Sequence, residues 1–341
     1  MTTTTKTAGT PVWQQVPPRT VRRGQLWVPG ERIEIDGSHY QRGQMFVEWE
    51  APAEVTQPYP VVLVHGGTLQ GTEWMDTPDG RPGWAQRFVE AGYATFVVDR
   101  PGHGRSPYHS AVVGPMGPPF SHEEGKRVFH PGTATGHTQW PIAEDDETAA
   151  GSFIAAFGPM PADLAESERM DADALANLLD LIGPAVVVTH SASGPDGWLL
   201  ADRRPDQVVA VASIEPMGPP FADTHGIGRL TWGVTAAPLS FDPPFASGDE
   251  VEAADPETRV VPSLAGLPVA VVTAGASPFA SFGAPTVEFL RHAGAVAEEL
   301  HLPDFGIEGN GHGLIYELNS DEAIRPVLAW IAARTRDGGA R

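Results

Sequence analysis

The sequence predicts an α/β protein built on a doubly wound, mostly parallel sheet of about eight strands. Short apolar runs recur along the chain, at residues 61–64, 94–98, 185–188, 208–214 and 269–272. Unbroken runs of this kind are typical of central parallel strands that are buried on both faces. Helix-like stretches accompany them, at residues 84–91, 171–181, 197–202, 286–293 and 321–333. The alternation of strand and helix is the pattern of a doubly wound sheet.

Three segments near the amino terminus, residues 25–28, 31–35 and 45–50, alternate apolar and polar side chains. A period of two residues indicates half-buried strands, so these segments predict an antiparallel edge of the sheet. Residues 297–302 form the last strand-like run, and a loop separates them from the terminal helix.

Two long segments interrupt this alternation. Residues 107–170 are rich in Pro, Gly and His, and residues 218–262 contain two Pro-Pro pairs and many acids. Long irregular segments are uncommon inside compact domains unless they have a function. We expect an α/β core of residues 21–106 and 171–341, with 107–170 inserted as a cap and 218–262 contributing to it. The alternative is that both are surface decorations. Residues 1–20, rich in Thr and Pro, are expected to form a flexible arm.

Composition limits the classes of partner. The 341 residues carry a net charge of −21, which would repel nucleic acid. Cysteine is absent, so a disulfide framework and a thiolate nucleophile are excluded. No run reaches the roughly 20 apolar residues of a membrane span, and residues 1–7 lack the apolar core of a signal peptide. We expect a cytoplasmic protein without a membrane partner, and a homodimer on the general frequency of symmetric oligomers.

The most informative segment is 186–194, where a β-branched run stops at Ser191. Small side chains stand two residues to either side of this serine, at Thr189 and Ser193. A sharp turn from strand to helix needs small neighbours because its serine adopts a strained backbone conformation. The usual pattern of this nucleophile elbow is G-x-S-x-G, so the match is imperfect. Ser191 is the candidate nucleophile.

A serine hydroxyl needs a base to react at neutral pH. His312 lies in a Gly-rich loop between the last predicted strand and the terminal helix. This position fits the chain order serine, acid, histidine that is known for strand–turn–helix nucleophiles. His312 is therefore the candidate base, and an ordinary solvated loop histidine is the alternative.

The acid that orients the base is less obvious. No carboxylate follows the apolar run at 269–272, but Glu215 ends the preceding run and is followed at once by Pro216. A proline there ends the strand, so the carboxylate is expected at the sheet edge, within reach of His312. Asp304 and Glu308, shortly before His312, are the competing candidates.

Backbone N–H donors must also face the developing oxyanion. His65-Gly66-Gly67 follows an apolar strand, and glycine lets the backbone approach a substrate closely. We expect the N–H groups of Gly67 and Ala192 to form the oxyanion hole. His65 is interpreted as a structural histidine, and the glycine-rich loop at 99–106 as architecture.

With these residues assembled, the chain resembles the α/β-hydrolase superfamily over residues 60–110 and 171–335. More narrowly, it is similar to a bacterial two-domain esterase group with a glutamate acid. The shared motifs are Tyr59-Pro60, His65-Gly66-Gly67, the stretch WMDTPDGR at 74–81, HSASG at 190–194, Ile214-Glu215-Pro216 and GNGH at 309–312. The resemblance implies an α/β-hydrolase fold and Ser191, Glu215 and His312 as the triad. The esterase pattern has two adjacent cysteines where Gly67-Thr68 stand here, so the stiffness of a vicinal disulfide is missing.

These features predict a serine hydrolase that cleaves a small-molecule carboxylic ester through an acyl-enzyme. A lactone, amide or carbon–carbon bond hydrolase with the same triad is the alternative, followed by an inactive ligand-binding homologue. No metal or organic cofactor is expected, because the spacing of His122, His130 and His137 fits no strong metal motif. Six aromatic residues are candidates for the pocket wall or for ordinary packing: Trp74, Trp140, Phe153, Phe221, Trp232 and Phe279.

Overall fold

The structure is a computed structural model that describes residues 18–130, 132, 135–224 and 226–335. Its strands are β1 (Val21–Val28), β2 (Glu31–Ile35), β3 (Ser38–Arg42), β4 (Met45–Pro52), β5 (Val61–Val64), β6 (Thr95–Asp99), β7 (Ala185–His190), β8 (Val208–Ile214), β9 (Asp223–Thr224), β10 (Gly228–Arg229), β11 (Pro268–Thr273) and β12 (Val296–His301). Its helices are α1 (Trp84–Glu90), α2 (Ser110–Val113), α3 (His122–Phe129), α4 (Glu147–Ile154), α5 (Leu164–Ile182), α6 (Gly194–Arg203), α7 (Gly248–Ala253), α8 (Gly283–His292) and α9 (Ser320–Thr335).

Eight strands form the central sheet in the order β1-β4-β6-β5-β7-β8-β11-β12. The pairs β1–β4 and β4–β6 are antiparallel, and every pair from β6 to β12 is parallel. Strands β5 and β7 are buried along their whole length, as expected for apolar runs with helices on both faces. The predicted doubly wound, mostly parallel sheet of about eight strands is therefore confirmed.

Helices cover both faces of the sheet. Apolar side chains of α5, α6 and α8 pack into one core cluster, which includes Leu175, Trp198 and Leu290. Side chains of α1 and α9 pack into a second cluster on the opposite face, which includes Phe88 and Ile331. The sheet is thus the middle layer of three, and its carboxyl edge stays free of these helices.

Two predictions about the secondary structure were wrong. Residues 31–35 do not join the edge of the main sheet, because β2 pairs with β3 in a separate two-stranded ribbon. The side chains of β3 are almost all exposed and polar, so no apolar pattern marked it as a strand. Helix α5 begins at Leu164 instead of residue 171, and it therefore runs across the expected boundary of the cap at 170.

The expected insertions contain short elements. Helices α2, α3 and α4 lie within 107–170, while the ribbon β9–β10 and helix α7 lie within 218–262. The predicted arm at 1–20 lies outside the described residues except for 18–20. Within the described part of the chain, no helix is long and apolar enough to span a membrane.

The topology brings four loops to one edge. Strands β5, β7 and β8 are consecutive neighbours and parallel, so the loops that follow them emerge side by side. These loops carry Gly67, Ser191 and Glu215. His312 follows β12, which runs in the same direction at the end of the sheet.

Candidate active site

Ser191 stands at the tip of a sharp turn between β7 and α6, in a short 3-10 turn over Ser191–Ser193. Its φ of 56° is in the left-handed region, which non-glycine residues rarely adopt. The turn is held at its base because the carbonyl of Ser191 accepts a hydrogen bond from the N–H of Met217, at 2.9 Å. The hydroxyl of Ser191 thus stands at the sheet edge in a strained backbone conformation.

Ser193 occupies the second glycine position of the elbow pattern, and its hydroxyl holds the turn together. It accepts a hydrogen bond from the N–H of His190 at 3.0 Å and lies 3.0 Å from the carbonyl oxygen of Val64, to which it donates. At the other glycine position, the Thr189 hydroxyl bonds the hydroxyl of Ser213 at 2.8 Å. Both substitutions therefore add contacts from the elbow to neighbouring strands.

The structure brings Ser191, His312 and Glu215 together in a line. His312 Nε2 lies 2.9 Å from Ser191 Oγ, and His312 Nδ1 lies 3.3 Å from Glu215 Oε2. His312 and Glu215 are fully buried, while Ser191 is partly accessible. With Nδ1 protonated and Nε2 free, this arrangement can pass the serine proton to the ring.

Glu215 directly follows β8, with a φ of 47°. Its carboxylate accepts a hydrogen bond from the Ala274 N–H at 2.6 Å and another from the Ser277 hydroxyl. Burial raises the pKa of Glu215 to about 8, although both of these hydrogen bonds favour the ionised form. The competing acids Asp304 and Glu308 are exposed side chains without a contact to His312.

The loop that carries His312 is fixed by a buried carboxylate that sequence reasoning missed. Glu317 accepts hydrogen bonds from the Gly311 N–H at 3.0 Å and from the Asn310 side chain at 2.8 Å. His137, from the segment 107–170, contacts the same carboxylate at 2.8 Å. Burial lowers the pKa of the His312 imidazole well below its usual range, and the neighbouring His190 lowers it further.

Gly67 and Ala192 lie side by side beside Ser191. A Cβ atom placed on Gly67 would come within 2.8 Å of Met160 Sδ and 3.0 Å of Ala192 Cβ, so only glycine fits without movement. The next residue, Thr68, adopts a φ of 62°, and its hydroxyl bonds the carbonyl of Gly67 at 2.6 Å. The loop therefore has a defined shape without any disulfide.

Ser191 and His312 open into a pocket of about 120 Å³. Its apolar wall includes Pro118, Phe120, Val128, Phe129, Ile227 and Phe279. Of the six aromatic candidates only Phe279 lines this pocket, with its ring 4.1 Å from that of His312. Phe120 and Phe129 were missed although Phe120 lies just before α3 and Phe129 is its last residue. The capping box of Ser121 and Glu124 is a sequence signal for the start of this helix.

No protein-family model matches the chain. A fungal protein (strain ATCC 74256) named "Probable secreted lipase phiG" is 34% identical, with 86% of this chain and 87% of the relative covered. The chain belongs to the α/β-hydrolase superfamily. A solved structure described as a novel bacterial esterase has the same fold, with a TM-score of 0.70 at 23% identity over 94% of this chain and 98% of that one.

Two other histidines of this α/β-hydrolase, His65 and His103, are buried and do not contact the triad side chains. His65 is buried and accepts a hydrogen bond from the Arg100 N–H at 2.9 Å, which agrees with a structural role. His103 is also buried, with Nδ1 3.1 Å from the carbonyl of Pro101. Among the described residues, no group of three or more His, Cys, Asp or Glu side chains could hold a metal ion.

Proposed function

We propose that the protein hydrolyses carboxylic esters of small molecules through an acyl-enzyme on Ser191. The observation that carries this proposal is the unbroken line of contacts from Ser191 Oγ through His312 to Glu215, at 2.9 and 3.3 Å. A catalytic serine needs a base within hydrogen-bond reach and a third group that orients the base. The serine, the base and the orienting carboxylate are all present, and the serine and the base line an apolar pocket.

In the acylation step, Ser191 Oγ attacks the ester carbonyl carbon while His312 Nε2 takes the hydroxyl proton. The carbonyl oxygen becomes an oxyanion, and the C–O bond to the alcohol then breaks. His312 returns its proton to the leaving alkoxide, which departs as the alcohol. A water molecule repeats the same steps on the acyl-serine and releases the carboxylic acid.

Glu215 acts through His312. A carboxylate at Nδ1 keeps the proton on that nitrogen, so that Nε2 is free to act as the base. It also stabilises the imidazolium that forms during attack. The contacts from Ala274 and Ser277 hold the carboxylate in this orientation.

The N–H groups of Gly67 and Ala192 form the oxyanion hole in this proposal. The close packing of Gly67 against Ala192, the residue after the nucleophile, supports it. Preorganised donors are among the largest contributions to acyl transfer. A backbone donor serves equally well without the cysteine pair of the esterase pattern.

We further propose that residues 107–170 and 218–262 together form a cap over the core at 21–106 and 171–341. Both segments contribute to the pocket wall, through Phe129 in the first and Ile227 in the second. A pocket closed by two insertions restricts which esters reach the serine. The cap is therefore the part of the molecule that selects the substrate.

Turnover of an ester panel tests the activity. The wild-type protein is expected to release acid from short and medium aliphatic esters, and Ser191→Ala to lose activity by several orders of magnitude. Ser152→Ala, an exposed serine on α4, is the matched control and should retain full activity. Lactones and amides in the same panel separate the alternative hydrolase reactions. Binding of all substrates without turnover would instead favour an inactive ligand-binding protein.

The cellular location and the oligomeric state of the protein are also proposals. The cytoplasmic location predicted from the sequence is tested by fractionation of the source cells, and the word "secreted" in the name of the fungal relative favours the opposite result. A homodimer is tested by light scattering after size exclusion.

A further inference from the structure

A further buried histidine–carboxylate pair lies beside His312. His190 Nδ1 is 3.3 Å from Glu73 Oε1, and both side chains are completely buried. Glu73 belongs to the 3-10 turn Gly71–Trp74, and His190 is the last residue of β7, directly before Ser191. The catalytic steps proposed above use neither side chain.

Glu73 ties this pair to the oxyanion loop. Its Oε1 accepts a hydrogen bond from the N–H of Gly66 at 2.9 Å. Gly66 precedes Gly67, whose own N–H is the proposed oxyanion donor. The direction of that donor therefore depends on where the carboxylate of Glu73 sits.

His190 ties the pair to the loop of the base. Its Nε2 lies 3.1 Å from the carbonyl oxygen of His312, and the two rings are stacked with centroids 5.0 Å apart. Both ring nitrogens of His190 face acceptors, one a carbonyl and one a carboxylate. Each contact is a hydrogen bond when a proton lies between the two atoms, so the ring joins Glu73 to the loop of the base.

The backbone of His312 is consequently held from two sides. Glu317 accepts the N–H of Gly311, and His190 faces the carbonyl of His312 itself. Because Glu73 also holds Gly66, one buried pair connects the oxyanion loop, the elbow and the loop of the base. These are the three parts that must keep a fixed mutual position during acyl transfer.

We propose that Glu73 and His190 are positioning residues for the hydrolysis, setting the place of His312 and of the Gly67 N–H relative to Ser191. This inference rests on the proposed function. The His190 ring stacked on His312 has a second consequence, because it opposes protonation of the His312 imidazole. The other ionisable groups around His312 and His190 are Glu215, Glu317, Tyr316 and His65.

Burial, and after it His190, hold the pKa of His312 well below its usual range, so the ring stays neutral at mildly acidic pH. Replacing His190 with glutamine keeps a donor for the His312 carbonyl but removes the imidazole that contributes to this lowering. The pKa of His312 is then expected to rise toward its usual range.

The experiment compares His190→Gln and Glu73→Gln with wild type. We expect kcat to fall by about 10- to 100-fold in both, with KM changed less than about twofold, because misplacement affects the reaction more than binding. Glu168→Gln is the matched control, since it removes a buried carboxylate whose partners are the N–H groups of 236–237. Its kcat is expected to follow wild type even where its melting temperature falls.

Three results separate the outcomes. Wild-type kcat in both glutamine variants would overturn the positioning role. No turnover by wild type would instead overturn the proposed function. If a glutamine variant does not melt cooperatively, Glu73→Asp carries the test, because it keeps the charge and shortens the reach. A folded Glu73→Asp variant with unchanged kcat would also overturn the proposal.

Discussion

At the residue scale, backbone strain is concentrated at the site. Thr68, Ser191 and Glu215 have φ between 47° and 62°, whereas the other non-glycine residues with positive φ among those described are Asp36 and Phe221. Each such residue costs about 1–3 kcal/mol and persists only where its surroundings fix it. The folded protein therefore stores strain next to the proposed nucleophile, acid and oxyanion loop.

The raised pKa of Glu215 predicts an unusual pH dependence. Below about pH 8 the carboxyl keeps its proton, so it donates to Nδ1 and moves the ring proton to Nε2, where the ring cannot act as a base. We expect kcat/KM to rise with pH through about 8. In Glu215→Gln this rise should be absent and the activity low at every pH, as measured by ester hydrolysis between pH 5 and 10. An identical rise in the variant would contradict the assignment.

Gly67→Ala tests the oxyanion loop. The added methyl would meet Met160 Sδ at 2.8 Å and Ala192 Cβ at 3.0 Å, so the loop must shift. We expect kcat to fall by about 10- to 100-fold with the fold retained. Gly151→Ala in α4 meets no atom within 4 Å and is the control. Unchanged kcat in Gly67→Ala would show that the loop tolerates displacement, and the oxyanion assignment would then be wrong.

At the element scale, the strands were predictable and the polar interior was not. Unbroken apolar runs revealed β5, β7 and β8, and the residues at their carboxyl ends gave Ser191 and Glu215. The first two turns of α5 were missed because Glu168 is a buried polar residue there, and Asp171, directly after them, is another. Their partners are the N–H groups of 236–237 and Arg100, which are distant in sequence.

The same reason explains which site residues were missed. Glu73, His190, Ser277 and Glu317 act through hydrogen bonds to groups that only the folded chain brings near. None of them has a local sequence pattern apart from its place in a motif. Residues at strand ends are predictable from sequence, whereas the side chains that support them depend on tertiary packing.

Ser193→Ala tests the elbow as a structural unit. The change removes the hydroxyl that bridges the His190 N–H and the Val64 carbonyl, and leaves both groups buried. We expect the free energy of unfolding to fall by about 1–3 kcal/mol. Denaturant unfolding measures this, with Ser152→Ala as the exposed control. Equal stability of the two variants would mean that the bridge contributes nothing.

At the scale of the whole molecule, the segments 107–170 and 218–262 and the rest of the chain meet at the pocket. His137, from the segment 107–170, contacts Glu317 beside the loop of His312. The proposed cap is thus connected to the base as well as to the pocket wall. A movement of the proposed cap would therefore be expected to displace His312.

Ile227→Trp tests the cap as the selector of substrate. The larger side chain fills part of the pocket wall, so KM for bulky esters should rise by at least about tenfold while short esters are little affected. Leu181→Trp, at an exposed position of α5, is the control. A KM for bulky esters in Ile227→Trp that equals that of wild type would contradict a selective cap at this position.

Labelling by a fluorophosphonate, read as intact-protein mass, tests the central claim most directly. We predict one adduct on the wild-type protein, mapped to Ser191 by peptide analysis. The adduct should be absent in Ser191→Ala and strongly slowed in His312→Ala, because the base activates the hydroxyl. Absence of any adduct on folded wild-type protein, or an adduct that persists in Ser191→Ala, would contradict the account.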